Sequence, residues 1–137
     1  MLKVVLDTNV LISAALSQQG NPAKIVNLAF DGAFSLYCDD WILLEYITVF
    51  SRPKFNFSSD KQEMFIRGIK RARVNALDLP VIKVSEIFLP DESDRKFYDI
   101  AKSCDAFLIT GNIKHYPNEP MIVTPSFFLT LLQPSLL

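Results

Sequence analysis

The sequence predicts an α/β fold in which helices cover both faces of a central, mainly parallel β-sheet. Short apolar runs alternate with longer helical segments along the chain, as in successive βα units. The first run, residues 2–6, contains two adjacent valines and ends at Asp7, which is typical of a strand buried in a parallel sheet. Half of the 137 residues are hydrophobic and 21% are charged, so the composition excludes intrinsic disorder and supports one packed core.

Residues typical of helix starts help to define the strands and helices predicted for the first half of the chain. Asn21 and Pro22 open a helix, with Asn21 as the N-cap and the proline at the first helical position. Ser59 and Gln62 have the spacing of a capping box at the start of another helix. The predicted elements are a strand over 2–6, a helix over 9–17, a helix from 21 to about 30, a strand over 34–38, a helix capped by Asp39 or Asp40 and ending near 50, and a helix from 59 to about 75.

The second half continues the same alternation. Acidic residues between 91 and 94 suit the positive end of a helix dipole. Thr124 and Pro125 form an N-cap and first position for a terminal helix. The predicted elements are a strand over 79–84, a helix from about 91 to about 103, a strand over 106–110, a strand over 121–123, and the terminal helix.

Composition and charge also disfavour several classes of protein, including secreted disulfide-rich scaffolds and membrane proteins. The formal net charge is −1, so nucleic-acid contact would need a local basic patch. Two cysteines do not make the disulfide framework of a small secreted scaffold. Asp7 and Asn9 interrupt the apolar start, which disfavours a signal peptide, and prolines break the uncharged tail, which disfavours a membrane span. We expect a single cytoplasmic domain over residues 1–137, with no membrane partner.

Four polar residues lie where an open α/β sheet places its site, beyond the carboxyl ends of strands. Asp7 follows the first strand, Asn112 follows the strand over 106–110, and Asp94 lies in the first turn of a helix. Glu45 lies inside an otherwise apolar helix, where a carboxylate needs a partner. Oxygen ligands of this kind suit Mg²⁺ or Mn²⁺, and a bound cation would relieve repulsion between close carboxylates. The pattern predicts a metal site.

Two further acids are alternatives to Asp94. Asp91 would be the ligand if the helix started earlier, whereas Asp94 is favoured because Ala101 follows it by seven residues, on the same helix face. Asp105 precedes a strand, at the opposite end of the sheet, and is interpreted as a turn or cap residue.

One stretch of the chain, 61–75, is rich in basic residues. Arg67, Lys70 and Arg71 are three and four apart and share one face of the predicted helix. Two interpretations stay open, a solvated surface and a phosphate-contacting rim that guides RNA. The single histidine, His115, is interpreted as a surface-loop residue, with a phosphate contact or a proton carrier as the alternative.

Several motifs occur in order along nearly the whole chain: V-V-L-D-T-N-V-L-I-S-A over 4–14, L-L-E-Y over 43–46, S-R-P-K over 51–54, P-D-E-S-D-R-K-F over 90–97, A-F-L-I-T-G-N over 106–112 and I-V-T-P-S-F-F-L over 122–129. Together they resemble the PIN domain family. The branch that looks most similar comprises the VapC-like toxins of prokaryotic toxin–antitoxin pairs. The resemblance implies a three-layer α/β/α, Rossmann-like domain with divalent-metal-dependent ribonuclease activity.

The resemblance also implies roles for individual residues. Asp7, Glu45 and Asp94 match acidic positions of the family's metal site. Thr8 and Asn9 match a D-T-N turn that orients the first acid, and Thr110 opens the T-G turn before the fourth position.

The fourth position departs from the usual pattern of the family. It usually carries Asp, but this chain has Asn112, which still offers a carbonyl oxygen without the charge. Weaker metal binding is expected, particularly at a second site.

Two functions remain open at this stage. The first is an Mg²⁺- or Mn²⁺-dependent endoribonuclease that hydrolyses RNA phosphodiester bonds and is the toxin held in check by an antitoxin protein. The alternative is a non-catalytic PIN-like module that binds RNA or protein through a weakened metal site. The resemblance further suggests a homodimer. The RNA target and the identity of the antitoxin do not follow from the sequence.

Overall fold

A computed structural model describes residues 1–132 and contains a four-stranded parallel sheet. The strands are β1 (Lys3–Leu6), β2 (Ser35–Leu36), β3 (Phe107–Ile109) and β4 (Ile122–Val123), in the order β2-β1-β3-β4. In the central pair, Val4, Val5 and Leu6 of β1 lie opposite residues 107, 108 and 109 of β3. The parallel sheet that the alternating pattern predicts is therefore confirmed.

Six helices accompany the sheet within the described residues. They are α1 (Thr8–Leu16), α2 (Asn21–Phe30), α3 (Asp40–Phe50), α4 (Ser59–Ala72), α5 (Arg95–Cys104) and α6 (Pro125–Leu131). Short 3₁₀ turns occupy Pro53–Phe55, Ala76–Asp78, Glu92–Asp94 and Ile113–His115. Of the helices in residues 1–132, none is long and apolar enough to cross a membrane.

The core forms where the helices meet the central strands. Val4, Val5 and Leu6 are fully buried, which explains why β1 carries no alternating polar residues after Lys3. Helix α5 packs on β1 and β3, and it buries Phe97 and Ile100 there. Helix α1 packs on α2 and α3, α2 packs on α6, and α3 packs on α4 and α5. This arrangement agrees with the predicted three-layer, Rossmann-like architecture.

Two helix starts follow the predicted capping chemistry. The side chain of Asp39 accepts a hydrogen bond from the backbone amide of Ile42 at 2.9 Å, so the first of the two candidate aspartates caps α3. Thr124 accepts from the backbone amide of Phe127 at 3.2 Å, and Pro125 is the first residue of α6. Both side chains satisfy amides that have no partner within the helix.

Two other predicted caps are wrong by one residue. Gly20, not Asn21, is the N-cap of α2, so Asn21 already lies within the helix. Ser58, not Ser59, caps α4 by accepting from the backbone amide of Lys61 at 3.1 Å. In both cases a neighbouring residue with extended backbone was equally able to start the helix, and tertiary packing decides between them.

Helix α4 ends at Ala72, three residues before the predicted end. The chain becomes extended at Arg73 because it joins the sheet edge there: Arg73 forms a β-bridge with Leu36, and the amide of Val74 donates to the carbonyl of Leu36 at 2.8 Å. The C-terminal end of α4 therefore lies beside the carboxyl end of β2.

The strand predicted over 79–84 is absent from the structure, and that prediction is wrong. Its backbone bonds to side chains of α5 instead of to a neighbouring strand. The amide of Lys83 donates to the hydroxyl of Ser103 at 2.9 Å, and the amide of Ser85 donates to the carboxylate of Asp99 at 3.1 Å. The β-branched residues that suggested a strand favour an extended backbone, which this segment satisfies without joining the sheet.

Candidate active site

The site is built around Asp7, the residue that immediately follows β1. The backbone amide of Asp7 donates to the carbonyl of Ile109 at 2.9 Å, so the ends of β1 and β3 lie side by side. Helix α1 starts at the next residue, which turns the chain away from the sheet. Asp7 is 5% exposed, and its carboxylate is therefore fixed at the carboxyl edge of the sheet.

Two hydroxyl groups hold the carboxylate of Asp7. Thr110 and Tyr116 each donate to its Oδ2 at 2.9 Å. Burial raises the pKa of Asp7, the two hydrogen bonds oppose that rise, and the charge of Glu45 adds to it. The balance leaves a pKa above the ordinary value. The ionised form of Asp7 is thus destabilised, and a cation would relieve this penalty.

Thr110 connects Asp7 to the loop that follows β3. Its hydroxyl accepts from the backbone amide of Asn112 at 2.9 Å and from the side-chain amide of Asn9 at 3.4 Å. The side-chain oxygen of Asn9 accepts from the backbone amide of Gly111 at 2.9 Å. Thr110 is fully buried, whereas Asn112 is exposed and joins the network through its backbone amide. The predicted supporting residues therefore tie the two strand ends together.

Glu45 has its own partners in this structure. Thr8 donates to its Oε2, and the Lys96 ammonium lies 2.6 Å from its Oε1. The side chains of Glu45 and Lys96 are 23% and 27% exposed, so the ion pair is half-buried. On α3, Ile42, Leu43 and Tyr46 are buried, whereas Leu44 and Ile47 are exposed. The Glu45 carboxylate reaches Thr8 at the start of α1. The expectation that this glutamate needs a partner is thus confirmed.

Asp94 lies at the start of α5, on the other side of the site. The Nδ1 of His115 lies 3.2 Å from its Oδ2, and the side chain of Asp94 is 13% exposed. Burial raises the pKa of Asp94 to about 6, with contributions from the charges of Asp7 and Asp91, and the contact with His115 opposes the rise. Because His115 contacts Asp94 and the adjacent Tyr116 contacts Asp7, the turn after β3 links these two acids.

The two alternative acids occupy other environments. Asp91 accepts from the amide and the hydroxyl of Ser93 at 2.9 and 2.7 Å, and these bonds lower its pKa. Asp105 ends α5 with a φ of 52°, in the left-handed region, immediately before the strand that contains β3. Asp105 is therefore a cap residue at the amino end of β3, as interpreted from the sequence.

Within the described residues, the three basic residues singled out on α4 form no ion pair with these acids. Arg67 forms an exposed ion pair with Glu63, one turn earlier on the same helix. Arg71 lines an open groove between α4 and α2, with Phe30 among its walls. Lys70 is exposed. Whether this face contacts phosphate stays a prediction.

Three site residues were not assigned to the site from the sequence. Tyr116 contacts Asp7, Lys96 contacts Glu45, and His115 contacts Asp94, so His115 is not simply a loop residue. Residues that follow the carboxyl end of a strand were already candidates for the site, and residues 115 and 116 come soon after β3. Their position could therefore have indicated a role in the site. Lys96 gave no signal beyond its position two residues after Asp94.

Asp7 and Asp94 fit a hard divalent cation. Both offer carboxylate oxygens, and each has a pKa raised by burial and by another acid of the site. Glu45 fits less directly, because Thr8 and Lys96 already contact its two oxygens. Over residues 1–132, no three His, Cys, Asp or Glu side chains are grouped closely enough to hold a metal ion. The fit therefore rests on two aspartates.

Comparison with known proteins adds two findings. The family model described as PIN domain matches residues 3–114. An uncharacterized protein of Methanocaldococcus jannaschii is 32% identical over 119 residues, which cover 81% of this chain and 71% of that protein. No solved structure matches the chain.

Proposed function

The chain belongs to the PIN domain family, and on that premise we propose that it is a divalent-metal-dependent endoribonuclease. PIN domains are generally nucleases and typically depend on divalent metals. The proposal extends this general activity to hydrolysis of RNA phosphodiester bonds, with Mg²⁺ or Mn²⁺ as the ion. It further assigns Asp7 and Asp94 as the main ligands, with Glu45 acting directly or through water.

One observation carries the proposal. Asp7 and Asp94 are far apart in the sequence, yet Tyr116 contacts Asp7 and the adjacent residue His115 contacts Asp94, so both carboxylates meet the same turn after β3. The charge of Asp7 also contributes to the raised pKa of Asp94. A protein that kept these acids only for stability would gain nothing from this repulsion. A cation between them would convert the repulsion into attraction, which is a reason to keep two half-buried acids together.

The ion would supply positive charge and Lewis acidity at the phosphate when bound. The chain's own residues would position it. Thr110 and Tyr116 hold the Asp7 carboxylate in one orientation through bonds to Oδ2. Lys96 supplies a cation beside Glu45, and such a charge can also attract the phosphate backbone of RNA. His115 contacts Asp94 and can carry a proton at the edge of the site.

The biological role is also part of the proposal. The motif order resembles VapC-like toxins, which supports a role as the toxin of a toxin–antitoxin pair. An antitoxin protein, a homodimeric state and a cytoplasmic location follow from the same resemblance. An adjacent reading frame that encodes a small DNA-binding or acidic protein would support this role.

A specific observation supports the alternative of a non-catalytic PIN-like module that binds RNA or protein. Asn112 occupies the position where the family usually has an acid, and Lys96 neutralises Glu45. Both features reduce the negative charge available to a metal. Such a module would bind without cleaving.

The test is RNA cleavage by purified protein with Mg²⁺, Mn²⁺ or a chelator. We expect cleavage with either ion and none with the chelator. Asp7→Asn and Asp94→Asn should each abolish cleavage while the fold survives, because each removes a charged ligand. Asp105→Asn is the matched control. It makes the same chemical change at the other end of the sheet, where asparagine tolerates the left-handed backbone.

The outcomes separate the two functions. Full activity in Asp7→Asn would refute the assignment of the site. Binding of RNA by the wild-type protein without cleavage under any metal condition would favour the non-catalytic module.

A further inference from the structure

Arg95, the first residue of α5, uses every N–H group of its side chain within the protein. Its Nε and one Nη donate to the two carboxylate oxygens of Glu92 at 2.7 and 2.6 Å. The same Nη donates to the carbonyl of Ile87 at 2.6 Å, and the other Nη donates to the hydroxyl and the carbonyl of Ser85 at 2.8 and 3.0 Å. A guanidinium has five donors in one plane, so none is left over to bind a ligand.

Two more side chains of α5 bind the same extended segment. Arg95, Asp99 and Ser103 are spaced by four residues and therefore share one face of the helix. The amide of Ser85 donates to the carboxylate of Asp99 at 3.1 Å, and the amide of Lys83 donates to the hydroxyl of Ser103 at 2.9 Å. Arg95 thus holds the segment at the start of α5, and Ser103 holds it near the end of the helix.

The direction of the Asp94 carboxylate depends on the backbone that carries it. Asp94 is the N-cap of α5, but its side chain makes no capping hydrogen bond. Within residues 1–132, the only hydrogen bond or ion pair of this side chain is the contact of its Oδ2 with Nδ1 of His115. Asp94 is also the last residue of the 3₁₀ turn that begins at Glu92. Arg95 follows this turn and binds its first residue.

We propose that Arg95 is a positioning residue of the metal site, which holds Asp94 in the orientation that binds the ion. The inference rests on the proposed function and adds a residue to it. Arg95 does not contact the ion, because all its donors are occupied. It acts through the turn: its bonds to Glu92 fix the start of the turn, and its bonds to the carbonyls of Ser85 and Ile87 fix the turn to the preceding segment.

The chemistry of arginine suits this task. Bonds from a charged donor are stronger than neutral ones, and the pair of bonds to Glu92 also fixes the angle of the carboxylate. A lysine at position 95 would keep the charge, but its single ammonium lacks the planar fork that reaches Glu92 and two carbonyls together. Partners that orient a metal ligand without touching the metal commonly set metal affinity.

A purely structural role of Arg95 is the rival interpretation. Ser103 binds the same extended segment as Arg95, but at the other end of α5, away from the turn that carries Asp94. Loss of either contact should loosen the segment and lower stability, whereas only Arg95 holds the turn. Substitutions at the two ends of this helix face therefore separate positioning from stability.

The position of Asp94 can be followed without metal. Because His115 is the only histidine in the chain, its imidazole signals in an NMR spectrum are assigned at once. Spectra of wild type, Arg95→Lys, Arg95→Gln and Ser103→Ala are compared in chelator at one pH. We expect both Arg95 variants to shift these signals, because Asp94 leaves its contact with the imidazole. Ser103→Ala, the control, should leave the signals in place.

Mn²⁺ affinity is measured on the same proteins by the loss of the electron paramagnetic resonance signal of free Mn²⁺. Both Arg95 variants should bind Mn²⁺ about 10- to 100-fold more weakly, the range for loss of a partner that orients a metal ligand. Ser103→Ala should bind Mn²⁺ as well as wild type. Urea denaturation checks that each variant is folded under these conditions, and Arg95→Lys carries the test if Arg95→Gln does not fold.

Wild-type imidazole signals and wild-type Mn²⁺ affinity in Arg95→Lys would overturn the inference and leave Arg95 a structural role. Equal changes in Ser103→Ala and the Arg95 variants would overturn it too, because the whole segment would then position the site. Failure of the proposed function would appear differently, as a wild-type chain that cleaves no RNA with any metal. If that chain also bound no Mn²⁺, the His115 signals alone would decide whether Arg95 positions Asp94.

Discussion

The phenol of Tyr116 stabilises the ionised form of Asp7, and removing it tests the electrostatics of the whole site. Tyr116→Phe deletes one of the two side-chain donors on Oδ2 of Asp7 and leaves the ring in place. Both residues are buried, at 6% and 5% exposure, so water cannot readily replace the lost donor. A hydrogen bond to a charged group contributes about 1.5–3 kcal/mol. We expect this loss in the free energy of unfolding at neutral pH, without metal.

The same loss should appear in the pKa of Asp7. Loss of the Tyr116 donor should raise this pKa further. The bond favours the carboxylate, so its contribution is present above the pKa of Asp7 and fades as the pH falls through it. The difference in stability between wild type and Tyr116→Phe should therefore shrink at acidic pH.

Urea denaturation over a pH series, in chelator, measures both effects. Tyr98→Phe is the matched control, because Tyr98 donates to the carboxylate of Glu119 at 2.6 Å but Lys102 also contacts that carboxylate at 2.7 Å. The more exposed Glu119 keeps a charged partner, so the control should lose only about 0.5–1.5 kcal/mol. An equal loss in both variants, or a loss in Tyr116→Phe that does not change with pH, would refute the reasoning.

Two further changes test the metal position and the basic face. Asn112→Asp should lower the melting temperature without metal, because it adds a charge near two acids. The same change should increase the stabilisation that Mn²⁺ produces. An equal Mn²⁺ shift of the melting temperature in both proteins would place Asn112 outside the metal site. Simultaneous replacement of Arg67, Lys70 and Arg71 by alanine should weaken RNA binding for all sequences alike and flatten its dependence on salt; an unchanged salt slope would make this face a solvated surface.

The fold was predictable because its signals are local and repeated. Each short apolar run ends at a polar residue or a turn, and the helices between them carry their own caps, as at Asp39 and Thr124. The prediction of a strand over 79–84 is wrong because the local pattern indicates only an extended backbone. That backbone bonds to side chains of α5 and not to a neighbouring strand. Whether an extended segment finds a free sheet edge or the side chains of a helix depends on packing that sequence periodicity does not contain.

The site was predictable in part for a related reason. The carboxyl ends of β1 and β3 adjoin in the parallel sheet, so Asp7 could be placed there because it follows a predicted strand. Thr110 was placed there only by the resemblance to PIN domains. Lys96 and Tyr116 could not be assigned to the site from the sequence, because each has a long side chain whose direction decides whether it reaches the site. Their contacts with Glu45 and Asp7 depend on how α5 and the loop after β3 are oriented, which no spacing rule gives.

Charge compensation inside the site explains why this chain can fold around its acids before any metal arrives. Lys96 pairs with Glu45, His115 contacts Asp94, and two hydroxyls hold Asp7, so each acid has its own donor within the described residues. A fourth carboxylate at position 112 would find none of these donors free. The neutral amide of Asn112 therefore suits a site that balances its charge internally, and metal affinity in such a site depends on competition with Lys96 and His115 rather than on the number of acids alone.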